Sequence, residues 1–94
     1  MPEMYFHVVW PDGARERCYS PSLVVEEYLT PGNTYPVDEF VRLSTEALTI
    51  ASERVRAKFG FYCTASAATL ESIVSRAARQ PEGGDVQVES FSQP

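Results

Sequence analysis

Residues 37–60 read VDEFVRLSTEALTIASERVRAKFG, and this run decides the fold. Val37, Phe40, Val41, Ala47, Leu48, Ala51, Val55 and Phe59 recur at the spacing that lines one face of an α-helix with apolar side chains. Asp38 and Glu39 fall in the first turn, and Arg54, Arg56 and Lys58 fall near the end, so both sets of charges complement the helix dipole. Gly60 is placed to stop the helix. The pattern predicts one long amphipathic helix over residues 37–59.

Upstream, Met4, Phe6, Val8 and Trp10 alternate with Tyr5, His7 and Val9, a period of two in aromatic and β-branched residues that predicts a strand over residues 3–10. Pro11-Asp12-Gly13 has the chemistry of a chain reversal and leads into a second strand over 14–19. Arg15, Glu16 and Arg17 are too polar for a strand covered on both sides, so this strand is expected to be exposed on one. Ser20-Pro21 reads as a cap and first residue of a short helix over 22–27, although Val24-Val25 would equally suit an extended segment. Thr30-Pro31-Gly32-Asn33 is a turn on either reading.

Downstream, Phe61, Tyr62 and Cys63 make a short aromatic connection. Ser66 is placed to cap another helix, with Leu70, Ile73, Val74 and Ala77 inward, that stops before Pro81. Glu82-Gly83-Gly84 breaks the chain, and residues 85–91 alternate with Val86 and Val88 on one face, which predicts a last strand returning to the hairpin. The expected fold is a single α+β domain over residues 1–94 in the order β-β-(short α)-α-α-β. Its three-stranded antiparallel sheet, the N-terminal hairpin plus the C-terminal strand, packs against the long central helix and the second helix.

The 94 residues carry 13 acidic and 8 basic side chains, a net charge of −5 that repels a phosphate backbone and argues against nucleic acid as a partner. No apolar run is long enough to cross a bilayer and no basic flank with an apolar signal core opens the chain, so a cytoplasmic protein with no membrane partner is expected. Cys18 and Cys63 are too few for a closed zinc site, and in a reducing compartment both read first as small buried hydrophobes.

His7 is the single histidine, and it sits in a strand on the opposite face from Trp10. Phosphate loops, Cys-x-x-Cys pairs and His-Glu-x-x-His helices are absent, so no catalytic residue, metal site or cofactor is expected. Glu26-Glu27 and Asp38-Glu39 are adjacent pairs, which diverge on a helix and do not converge on one substrate atom. The dense positive run is 52–58. There, dipole complementarity and a Glu53–Arg56 pair outweigh recognition of an anionic metabolite or acidic partner. Cys63, between a basic helix end and a helix start, is the thiol in the more activating setting. The candidate ligand-binding residues are Arg17, Arg54, Tyr62 and Cys63.

Four blocks carry a family resemblance: Met1-Pro2-Glu3-Met4-Tyr5-Phe6, Trp10-Pro11-Asp12-Gly13, Arg17-Cys18-Tyr19-Ser20-Pro21-Ser22, and the run from Ala47 to Phe61. In their order and spacing they resemble the small bacterial nitrogen starvation response proteins encoded in a nitrilase-containing gene cluster, most closely over residues 1–64. The resemblance implies expression under nitrogen limitation and a link to nitrile or cyanide nitrogen assimilation. It implies no reaction and no catalytic residues.

The leading functional reading is therefore a non-enzymatic accessory or regulatory protein that binds a partner from the same gene cluster and forms a homodimer. The alternative is a binder of an anionic or nitrile-derived metabolite, or a minor enzyme, with a pocket between the sheet and the long helix. A nucleic-acid regulator stands third, because it would need a local basic face that overcomes the acidic total.

Overall fold

The structure is a computed structural model that describes residues 2–94. Strand β1 (Met4–Val9) and strand β2 (Arg15–Ser20) form the expected hairpin, with Phe6 opposite Cys18 and His7 opposite Arg17. The 3-10 turn Leu23–Glu27 follows, then the short strand β3 (Thr34–Pro36), helix α1 (Val37–Phe59), helix α2 (Thr64–Ala77) and strand β4 (Asp85–Ser92).

The sheet has four antiparallel strands in the order β2-β1-β4-β3, not three. The additional strand is Thr34-Tyr35-Pro36, which pairs with Asp85–Gln87. Three residues ending in proline carry no period-two signal, and their partner lies about fifty residues away in the chain, so only tertiary pairing makes them a strand. Proline suits this edge because its missing N–H leaves no ladder position unfilled.

Both helices lie on one face of the sheet. Phe6, Val8 and Trp10 from the first segment, Cys18 from β2, and Val86 and Val88 from β4 close over Phe40, Ala47 and Leu48 of α1 and Ile73 of α2. Each large side chain fully withdrawn from water contributes about 1.5–3 kcal/mol. Trp10 and Phe40 meet edge to face at 5.4 Å between ring centroids. The other face of the sheet carries Tyr5, His7, Arg15, Arg17 and Tyr19, which explains how so polar a sequence serves as β2: Arg15 and Arg17 point away from the core and Cys18 points into it.

Helix α1 matches its expected bounds. Gly60 caps it at φ 82°, a left-handed conformation that favours glycine, and its N–H bonds the Arg56 carbonyl at 2.8 Å. Two expected caps are corrected. Ser20 does not open the short helix. Its hydroxyl donates to the Ser22 carbonyl at 2.7 Å, and Ser22 Oγ accepts from the Val24 N–H at 3.3 Å, giving a 3-10 turn that starts later. Ser66 does not cap α2, which begins at Thr64 with Cys63 in the cap position and no side-chain cap bond. Ser66 is instead buried, and its hydroxyl bonds that of Ser52 on α1 at 3.0 Å.

Two apolar positions read as inward face solvent. Val74 and Phe59 are each 50% exposed. Ile73 and Val74 are neighbours about 100° apart around α2, so of the two only Ile73 reaches the core, and Phe59 is the last residue of α1, where the helix ends at Gly60.

Candidate functional site

At Gly60 the chain leaves α1 and must return within a few residues to start α2, so the intervening side chains cannot reach the core. Phe61 is 63% exposed and Tyr62 is 57% exposed, and with Phe59 they form an aromatic knuckle at one end of the domain. The Phe59 and Phe61 rings lie 6.0 Å apart, tilted by 34°. Beneath them a cleft of about 430 Å³ opens to solvent. Val55, Tyr62 and Cys63 wall it on the helical side, and Glu3, Tyr19 and Pro21 wall it on the sheet side.

Glu3 is the one formally charged side chain in that lining. The Tyr19 hydroxyl donates to Glu3 Oε1 at 2.9 Å. Burial, and then the adjacent Glu3 carboxylate, hold the Tyr19 phenol well above its ordinary range, so it remains a neutral donor. Cations meet the aromatic rings as well: the Arg56 guanidinium lies 5.3 Å from the Tyr62 centroid, and Lys58 Nζ lies 5.6 Å from the Phe59 centroid. Arg56 also approaches Glu53 at 3.8 Å, the pairing expected from their spacing.

The four candidate residues divide into two groups. Tyr62 and Cys63 both line the cleft. Arg54 turns away, and its Nη1 donates to Ser22 Oγ at 3.2 Å, tying α1 to the 3-10 turn. Arg17 lies on the outer face of the sheet, with its guanidinium 4.5 Å above the Tyr5 ring. His7, on that same face, makes a 2.7 Å hydrogen bond through Nε2 with Ser92 Oγ. The cleft therefore lies between the C-terminal end of α1, which contributes Val55 and Phe59, and the edge of the sheet at β2, which contributes Tyr19.

Glu3, Tyr19, Phe59 and Phe61 are the site residues that sequence reasoning missed. The run Phe59-Gly60-Phe61-Tyr62 was a usable signal, because aromatic residues beside a helix-stopping glycine have little chance of being covered. Glu3 and Tyr19 become neighbours only once the hairpin register is known.

A second polar grouping braces the opposite end of the hairpin. Glu16 accepts from Trp10 Nε1 at 3.0 Å and from Ser72 Oγ at 2.8 Å. Arg76 Nε lies 3.0 Å from Glu16 Oε1 but is out of line for a hydrogen bond, so that contact is ionic. Its members serve one another, linking β1, β2 and α2.

Among the described residues no three His, Cys, Asp or Glu side chains converge on a point where a metal ion could sit, and no helix is long and apolar enough to cross a membrane. No curated protein and no solved structure matches the chain. The model of a family described as nitrogen starvation-induced protein NitG matches residues 5–91. That span runs from Tyr5 in β1 to Phe91 in β4 and takes in all the strands and helices that build the core and the aromatic knuckle. On that match the chain belongs to the NitG family of nitrogen starvation-induced proteins.

Proposed function

We propose that this protein is a non-enzymatic accessory or regulatory component of the nitrogen starvation response, in the assimilation of nitrile or cyanide nitrogen, and that it works by binding a protein partner through the aromatic knuckle. The exposure of Phe59, Phe61 and Tyr62 on neighbouring positions carries this reading. Exposed aromatic clusters of this kind are costly in water and typical of the anchors that dominate protein interfaces. Arg56 and Lys58 stand on the last turn of the same helix beside these rings, so the partner is one that presents acidic side chains around an apolar contact. The chain alone is proposed to be a homodimer. Its second copy would sit on the shallow groove between the start of α1 and the end of α2, where half-exposed Val74 lies with Val41 and Ala77.

Tagged protein recovered from nitrogen-limited cells is expected to retain a partner that is lost with Phe61→Ser, while the variant's stability is unchanged. Sedimentation velocity on the purified chain reports the dimer. A monomer that retains nothing overturns the proposal.

A second reading rests on the cleft, which brings Tyr62 and Cys63 together around about 430 Å³. This is enough volume for a small metabolite. A ligand present at 100 times its dissociation constant would add about 2.7 kcal/mol of stability, which a thermal-shift screen detects.

A further inference from the structure

Taking the small-molecule reading of the cleft as its basis, we infer that the cleft selects an organic cation, an ammonium group on a compact apolar body, and rejects the matching anion. The argument starts from what lines it. Of the residues brought to the cleft, Glu3 alone carries a formal charge, and none of the candidate arginines contributes a wall. The sequence suggested an anionic metabolite from the positive run 52–58 and from Arg17 and Arg54 among the candidate ligand-binding residues. Arg54 is engaged by Ser22 and Arg17 by the Tyr5 ring, both outside the cleft.

The remaining features fit a cation. Tyr19 donates to one oxygen of Glu3 and so fixes the carboxylate in position. With its phenol proton retained, Tyr19 orients the negative charge without adding to it. Among the described residues no cation pairs with Glu3. Around it stand the rings of Phe59, Phe61 and Tyr62, whose π faces attract a positive group and whose edges and faces cover an apolar body. Tyr62 and Phe59 already carry cations of the chain itself, Arg56 and Lys58, so the groups left for a ligand's ammonium are the Glu3 carboxylate and the Phe61 ring, while the other two rings cover its apolar body. An anion entering the cleft would have to leave water and approach an oriented carboxylate with no opposing charge in the lining.

The test uses three probes of one shape: benzylammonium, benzyl alcohol and benzoate, titrated into the full chain and followed by the amide and side-chain NMR shifts of residues around Tyr62. Benzylammonium should bind, benzyl alcohol should bind more weakly, and benzoate should leave the cleft unperturbed. Glu3→Gln keeps the shape and should weaken benzylammonium by about tenfold or more, the loss expected for a charge-assisted contact, while leaving benzyl alcohol unchanged. Benzoate binding as well as benzylammonium, or Glu3→Gln without effect, overturns the charge selection and leaves the cleft as a small-molecule site. No shift with any of the three overturns both the selection and the site it rests on.

Discussion

The indole Nε1 of Trp10 donates to Glu16 Oε1 at 3.0 Å, a contact between the buried end of the first strand segment and a carboxylate on the strand beside it. The ring fills the core against Phe40, and its one polar atom is satisfied by a group that also receives Ser72 and lies against Arg76. Removing Glu16 orphans the buried indole N–H and leaves Arg76 without its counter-charge. Glu16→Ala should therefore cost about 1–3 kcal/mol in urea unfolding, with a change in Trp10 fluorescence. Glu16→Gln, which keeps an acceptor, should cost less.

Gly84 touches Pro11 so closely that a Cβ placed on it would stand 2.5 Å from the proline Cβ. The β1–β2 turn and the turn before β4 are thus seated on one another, and neither the proline ring nor its backbone can give way. Gly84→Ala is expected to lower stability by about 1–3 kcal/mol, measured by the urea midpoint.

Ser44 is fully buried on the core face of α1, and its hydroxyl makes no hydrogen bond among the described residues. Replacing a buried hydroxyl that lacks a partner with a methyl-sized side chain removes a desolvation cost and opens almost no cavity. Ser44→Ala should leave stability unchanged or raise it by up to about 1 kcal/mol. A clear loss of stability would mean that the hydroxyl has a partner in solution.

Cys18 is 1% exposed, and burial, reinforced by the Glu16 carboxylate, pushes its thiol far above the ordinary range. Cys63 is half-buried at the cleft wall. In the native state iodoacetamide should modify Cys63 and spare Cys18, with both sites reacting in urea, as mass spectrometry of the labelled peptides would show. Benzylammonium bound in the cleft should slow the native reaction.

Asp12 supplies the acid sensitivity of the first turn. The Ala14 N–H donates to Asp12 Oδ1 at 3.0 Å and, with help from Gln80, holds this carboxyl below its ordinary value of 3.8. A carboxyl whose folded value is depressed stabilises the fold above its unfolded value, and that contribution is lost as pH falls through the folded value. Between pH 5 and about pH 3 the native chain should therefore lose more of its urea midpoint than Asp12→Asn, which keeps an acceptor but does not titrate.

The outcome of the sequence reading follows the range of the interactions involved. Helix α1 was legible to within a residue because its stripe, its end charges and Gly60 all act within a few residues of one another. The hairpin was legible for the same reason, since Pro11-Asp12-Gly13 sets its own reversal. The caps at Ser20 and Ser66 failed where two neighbouring serines compete for one role, and where a buried partner, Ser52, claims the hydroxyl. Of the proposed site, Tyr62 and Cys63 share the cleft because the link between the helices is too short to separate them. Arg17 shares its face of β2 with Tyr19 but lies two residues farther from the cleft, over the Tyr5 ring, and helix rotation sends Arg54 away from the direction of Val55 towards Ser22.

By itself, the sequence determined the α+β class, the long helix with its two charged ends, and the hairpin. These rest on spacing and turn chemistry, which act along the chain. The tertiary structure alone decided that Thr34-Tyr35-Pro36 is the fourth strand, that Glu16 braces Trp10, and that Glu3 and Tyr19 place a single oriented carboxylate beneath the aromatic knuckle. Each of these depends on which distant segments share a sheet and in what register. That is fixed only when the whole core closes and every buried side chain finds its neighbour.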